Sequence, residues 1–159
     1  MFDDYQDYEI NIEDFCFPKS IIKANVNIST IKNRNELKTV FRAYQEIFPD
    51  EIDTSKGEQL EQITFTSSNY SYIAKIEDKI VGFIITAPIT QKCILLAYLG
   101  ILKDYRGKGV ATKLLETLIQ YLKEQEYEKI CCTIHSQNKK TLNYIKVLGF
   151  HKLIKDKEQ

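Results

Sequence analysis

The stretch Leu99-Gly-Ile-Leu-Lys-Asp-Tyr-Arg-Gly-Lys-Gly-Val-Ala-Thr-Lys-Leu-Leu115 changes character twice. It begins as an apolar, strand-like run, breaks at a polar, glycine-bearing turn over residues 104–109, and passes straight into a helical pattern. Strand, glycine turn and helix start together build an anion site. Glycine lets the backbone approach a ligand closely, and the unused N–H groups of a helix's first turn point at the anion with the helix dipole behind them. Spacing excludes two nucleotide-binding signatures. The P-loop needs Gly-x-x-x-x-Gly-Lys-Ser/Thr, but here Gly107-Lys108 is followed by Gly109, and Leu102 stands where the first glycine belongs. The dinucleotide fingerprint Gly-x-Gly-x-x-Gly meets Thr112 in place of its third glycine, and no βαβ unit precedes it.

Outward from this stretch, regular elements follow one another. Residues 93–102 read as a long strand, apolar on both faces and so central in a sheet. Before it, residues 70–77 and 79–87 form a hairpin with a tight turn near Asp78, and Pro88 stops the second strand. Val26, Ile28 and Thr30 alternate as a strand. Asn33 or Asn35 then caps a helix whose apolar stripe is Leu37, Val40, Phe41, Tyr44, Ile47 and Phe48, ended by Pro49. A polar loop spans residues 49–57, and a short second helix is expected over residues 58–65. After the turn, Val110, Leu114, Leu115, Leu118, Ile119 and Leu122 share one helix face. A buried strand covers residues 129–135, and a helix covers residues 138–148 with Gly149 as its C′ residue. A last short strand covers residues 150–155. The fold class is therefore α/β: a mixed, mostly antiparallel central sheet with helices on both faces.

Residues 1–24 form an N-terminal arm, distinct from a domain over residues 25–159. The arm carries Asp3, Asp4, Asp7, Glu9, Glu13 and Asp14, and is too aromatic for a solvated tail. Tyr8, Ile10 and Ile12 alternate as in a strand, so residues 5–17 are expected to pack on the domain or on a second subunit, a homodimer being one such arrangement. The chain of 159 residues holds one core, with 43% hydrophobic residues and zero net charge. That balance excludes a generally basic nucleic-acid binder. No apolar run approaches the length of a membrane span, and the acidic N-terminus carries no secretory or mitochondrial signal. Cys16, Cys93, Cys131 and Cys132 have no metal-binding spacing and read as buried thiols in a reducing cytoplasm.

Arg106-Gly-Lys-Gly-Val-Ala111 matches Arg/Gln-x-x-Gly-x-Gly/Ala, the signature of the GNAT superfamily of N-acetyltransferases. Asn138-Lys-Lys-Thr-Leu-Asn-Tyr-Ile-Lys-Val-Leu-Gly-Phe150 resembles that family's C-terminal motif, with Asn138, Gly149 and Phe150 at the right separations. The resemblance covers residues 25–155 and implies the acyl-CoA N-acyltransferase fold with acetyl-CoA as co-substrate. It implies that backbone groups of Leu99, Gly100 and Ile101 bind the pantetheine arm. The N–H groups of Arg106, Gly107, Lys108, Gly109, Val110 and Ala111 would hold the pyrophosphate, and Asn138 would sit near the thiol end.

Three departures accompany the resemblance. The family's Tyr, which often protonates the departing thiolate, falls on Ile145, and the adjacent Tyr144 points about 100° away on a helix. A Glu used by some relatives as general base falls on Thr133. His135 on the same strand face carries an imidazole, the side chain most used as a base, and Tyr98 lies on the cofactor strand, so His135 and Tyr144 are the catalytic candidates considered. Asp50, Glu51 and Asp53 lie in the loop that borders the acceptor site in the family. The family also usually has a further strand after the one beginning at Phe150, and its lack would leave a sheet edge exposed. The expected activity is acetyl transfer from acetyl-CoA to a primary amine by direct attack in a ternary complex. The alternative is a non-catalytic CoA-binding or regulatory module. Positioning favours the enzyme: acid or base groups contribute about 10²–10⁴-fold, whereas holding two reactants together reaches effective molarities of about 10⁵–10⁸ M.

Overall fold

The computed structural model describes residues 5–17, 25–47 and 70–154. The helix expected over residues 58–65 and the carboxylates Asp50, Glu51 and Asp53 lie outside the described residues. Seven strands form one sheet: β1 (Tyr5–Asn11), β2 (Asn27–Thr30), β3 (Tyr72–Ile76), β4 (Lys79–Pro88), β5 (Cys93–Ile101), β6 (Lys129–His135) and β7 (His151–Lys152). Their order across the sheet is β2-β3-β4-β5-β6-β1-β7. Three α-helices are described: α1 (Arg34–Ile47), α2 (Val110–Glu124) and α3 (Lys139–Leu148). Every strand pair is antiparallel except β5 with β6. That exception follows from connectivity, because α2 carries the chain back across the sheet and a crossover returns the next strand parallel.

Local sequence accounts for the elements. Asn33 caps α1 by accepting from the Glu36 N–H (2.9 Å), while the Glu36 carboxylate accepts from the Lys32 N–H (2.8 Å). Glu36 also holds Lys75 of β3 at 2.8 Å, tying α1 to the sheet. Burial opposes the Glu36 charge, but hydrogen bonds from Lys75 and Lys32 outweigh it and lower the carboxyl's pKa. Glu77 and Asp78 both have positive φ, 50° and 64°, forming the two-residue turn whose twist suits a hairpin. Pro88 is the last paired residue of β4, opposite Ile94, rather than the residue that stops it. At a strand end its missing N–H is tolerated.

Two hydrophobic clusters cover opposite faces. The larger gathers α2 (Leu114, Leu115, Leu118, Leu122) and α3 (Leu142, Ile145, Leu148) over Tyr8, Ile10, Ile94, Ile130, Cys132 and Ile134. The smaller seats Val40, Ala43 and Tyr44 of α1 on Ile73, Phe83 and Ile85. Cys132 is buried and Cys131, one residue away, faces the other side; Cys16, expected to be buried, is exposed.

The N-terminal strand is an interior strand of this sheet. β1 pairs along its full length with β6 and receives β7 on its other edge. Beyond β7, Leu153 donates its N–H to the Asp7 carbonyl (2.9 Å), and the Gln6 side chain donates to the Leu153 carbonyl (2.8 Å). The last strand is shorter than the residues 150–155 expected, and covers only His151–Lys152.

Candidate functional site

β5 has two different edges. Against β4 it is paired from Ile94 to Ile101, with a bulge that leaves Ala97 unopposed. Against β6 it is paired only through Cys93, Ile94 and Leu95. Past Leu95 the parallel strands part, and among the described residues no strand pairs with the β6-facing edge of β5. Leu99, Gly100 and Ile101 lie on this parted segment. Gly100 is required by packing: a Cβ there would lie 2.8 Å from Phe83 Cζ and 2.9 Å from Ile47 Cδ1.

The chain leaves β5 through a short 3₁₀ turn, Lys103–Tyr105, into the glycine turn. Arg106 folds back so that its Nε donates to the Ile101 carbonyl (3.0 Å), locking the turn to the end of β5. Gly107 and Gly109 take φ of +76° and +84°, where an L side chain is strained. Space around Gly107 is open, so its constraint is conformational and not steric. The first helical bond of α2 runs from the Lys113 N–H to the Gly109 carbonyl. Upstream of it, the N–H groups of Gly107, Lys108, Gly109, Val110 and Ala111 donate to no backbone carbonyl among the described residues. Lys108 lies 5.7 Å from the centre of the Tyr105 ring, beside the turn. This is a nest of aligned donors at a helix N-terminus, a form that suits a phosphate group.

The other wall is β6 and the start of α3. Asn138 caps α3, accepting from the Thr141 N–H (3.3 Å), and its own N–H donates to the His135 carbonyl (3.0 Å). His135 accepts the Gln137 N–H on Nδ1 (3.1 Å), so the neutral ring carries its proton on Nε2. The Tyr5 ring meets His135 edge-on at 4.9 Å. Ile145 is a core residue, 3% exposed. Tyr144 packs against the same larger cluster with its hydroxyl buried and without a hydrogen-bond partner, and burial pushes its pKa up to about 12. His135 and Tyr144 therefore lie on opposite faces of the sheet. Tyr98 lies on the α1 face, its ring 5.1 Å from that of Tyr44. The strand and turn residues are brought together by the Arg106 bond, and His135 with Asn138 by the bond between their backbones.

Residues 37–150 match the acetyltransferase (GNAT) family, which is more than half of the chain. The chain belongs to the GNAT family. It is 28% identical over 85 residues to N-alpha-acetyltransferase 30 of Schizosaccharomyces pombe, a match covering 51% of this chain and 57% of that protein. The matched segment thus spans little more than half of that curated relative. A Streptococcus agalactiae acetyltransferase superposes with a TM-score of 0.73 at 19% identity, over 84% of this chain and 88% of that one. AAC(6')-Iy, in complex with a bisubstrate analogue, CoA-S-monomethyl-acetylneamine, superposes with a TM-score of 0.66 at 16% identity, over 86% of this chain and 99% of that one.

In this GNAT chain, the parted β5 edge and the N–H groups of the glycine turn suit a long, phosphate-bearing thioester. Among the described residues no group of His, Cys, Asp and Glu is arranged to hold a metal ion, and no helix is long and apolar enough to cross a membrane. Sequence reasoning passed over one residue of this wall. Asp7 of β1 stands directly opposite Thr133, whose Oγ1 donates to Asp7 Oδ1 (2.7 Å). The alternation of Tyr8 and Ile10 sets the face of Asp7, but nothing local in the sequence names β6 as its neighbour.

Proposed function

We propose that this GNAT protein transfers an acetyl group from acetyl-CoA to a primary amine by direct attack, both substrates being bound at once. The observation that carries this reading is the parting of β5 from β6 next to five unused N–H groups at the start of α2. The bound complex of the structural relative AAC(6')-Iy supports CoA as the group such a cleft takes. Acetyl-CoA supplies the activated acyl group. The N–H groups from Gly107 to Ala111 receive its pyrophosphate, and Arg106 adds positive charge beside them. Backbone donors on the Leu99–Ile101 segment hold the pantetheine arm and stabilise negative charge developing on the thioester oxygen. Asn138 holds the first turn of α3 against the end of β6.

The chemistry balances with few side chains. The ammonium gives one proton to solvent, the amine nitrogen bonds to the acetyl carbon, and the C–S bond breaks. Sulfur leaves with the electron pair and takes the second nitrogen proton, directly or through water. A thiol ionises at about pH 8.5, so its thiolate leaves readily and departure demands little of a general acid. His135 assists proton removal on the amine side; the Tyr144 hydroxyl, buried and protonated throughout the neutral range, is not needed to protonate the sulfur.

The test is CoA release, followed with a thiol reagent, across small polyamines, aminoglycosides, peptide N-termini and lysine side chains. Saturable, amine-dependent release with at least one class is expected. Tight acetyl-CoA binding with no amine-dependent release by any class would instead identify a non-catalytic CoA-binding module.

A further inference from the structure

The face of β6 and β1 turned away from α2 and α3 carries a short row of polar groups. Because Ile130, Cys132, Ile134, Tyr8 and Ile10 are buried in the larger cluster, Thr133, His135, Tyr5, Asp7 and Glu9 point to the other side. That is the side on which α1 packs, and α1 sits over β3, β4 and β5. Thr133 and Tyr5 are exposed there, Tyr5 by 61%.

Two carboxylates share this face, and their surroundings differ. Glu9 is neutralised by Lys129 Nζ at 3.5 Å, with His151 Nε2 at 3.8 Å. Asp7 pairs with no cation among the described residues; its carboxylate is held by the Thr133 hydroxyl alone. Its backbone is fixed from both sides, by β6 and by Leu153. Thr133 lies on β6 just past Cys131, the last residue that pairs with β5, so Asp7 borders the mouth of the cleft. The donor turn opens α2, which lies on the opposite face. A thioester threaded from that turn between the parted strands leaves the α1 face as the side from which an amine reaches it.

We propose that Asp7 is the docking point for the acceptor's ammonium group, so that the N-terminal strand selects cationic amines. This rests on the acetyl-transfer reading above. The Thr133 hydroxyl aims the carboxylate, leaving its second oxygen for an N⁺–H donor, and the edge-on Tyr5 and His135 rings form an aromatic wall beside it. A charge-assisted bond of this kind is strong enough to set amine affinity.

The experiment is steady-state kinetics with the best amine of the screen. Asp7→Asn keeps an oxygen to accept from Thr133 and removes the charge. It should raise KM for the amine roughly 10- to 100-fold with the dissociation constant for acetyl-CoA unchanged. The ionic-strength dependence of the amine KM should flatten in the same variant, which a purely structural role would not cause. Thr133→Val, which leaves the charge but frees it, should raise KM by a smaller factor. Glu9→Gln should leave KM at the parent value. Turnover by the parent with an unchanged amine KM in Asp7→Asn overturns the role of Asp7 and leaves acetyl transfer standing. Absence of turnover by the parent with every amine overturns acetyl transfer, and the role of Asp7 with it.

Discussion

The two edges of β5 are made of the same residues and do opposite things. On the β4 side the strand is paired to its end, and Phe83, Ile84 and Ile85 are wholly buried between the two helical layers. On the β6 side pairing stops at Leu95, and the same backbone becomes a surface ready to bind. A strand edge left unpaired is ordinarily a liability. Here the liability is confined to a slot closed at one end by three paired residues and at the other by the glycine turn. Binding capacity arises where regular structure is interrupted, and rigidity comes from the uninterrupted edge next to it.

The largest disturbance of this contrast comes from removing the strand that supports β6 from behind. A chain beginning at Ser20 lacks β1, and with it the burial of Tyr8, Ile10 and Ile12. Each such side chain is worth about 1.5–3 kcal/mol, so the loss rivals the whole stability of a domain this size. Loss of a cooperative melt, or aggregation through the bared β6 edge, is the expected result in thermal denaturation and size-exclusion runs. An unchanged melting temperature would mean that β6 stands without β1.

Gly109→Asp acts on the cleft and spares the paired edge. It puts a side chain at φ +84° and a negative charge among the N–H groups. Acetyl-CoA binding, measured by titration calorimetry, should fall by more than about 100-fold with the far-UV spectrum kept, since about 2.7 kcal/mol of lost anion contacts suffices. Parent-like affinity in a folded variant would place the cofactor elsewhere.

Tyr144→Phe is the mildest. The hydroxyl is buried without a partner, so removing it should leave stability unchanged or raise it by about 1 kcal/mol, seen as a rise of roughly 2–4 °C in Tm. Turnover should fall by much less than the roughly 100-fold expected of a full general acid. A loss of that size at unchanged cofactor affinity would show that this hydroxyl reaches the sulfur.

What could be read from the sequence was local. The glycines at 107 and 109, the run into α2 and the α3 helix ended by Gly149 are each fixed by neighbours a few residues away, so their patterns announce them. The alternation of Tyr8 and Ile10 announced a strand, and the run after Phe150 announced another. Nothing in either pattern could show that the first strand takes a place beside β6, because that pairing joins residues from opposite ends of the chain. Asp7 was missed for the same reason. Its acidity looked like solvated surface until the register set it against Thr133. Tyr144 is the converse case. Its offset from the family's position was visible, but the isolation of its hydroxyl depends on packing against a core assembled from five strands and two helices.

The position of β1 also sets the order in which this protein can be assembled. Tyr8 cannot meet Cys132, nor Glu9 meet His151, until all the strands between them have left the ribosome. β1 precedes both of its neighbours in the chain and must wait for them. Contacts of such long range slow folding. The β2–β5 strands with α1 can form earlier, leaving the cleft half-built until β6 and β1 are in place.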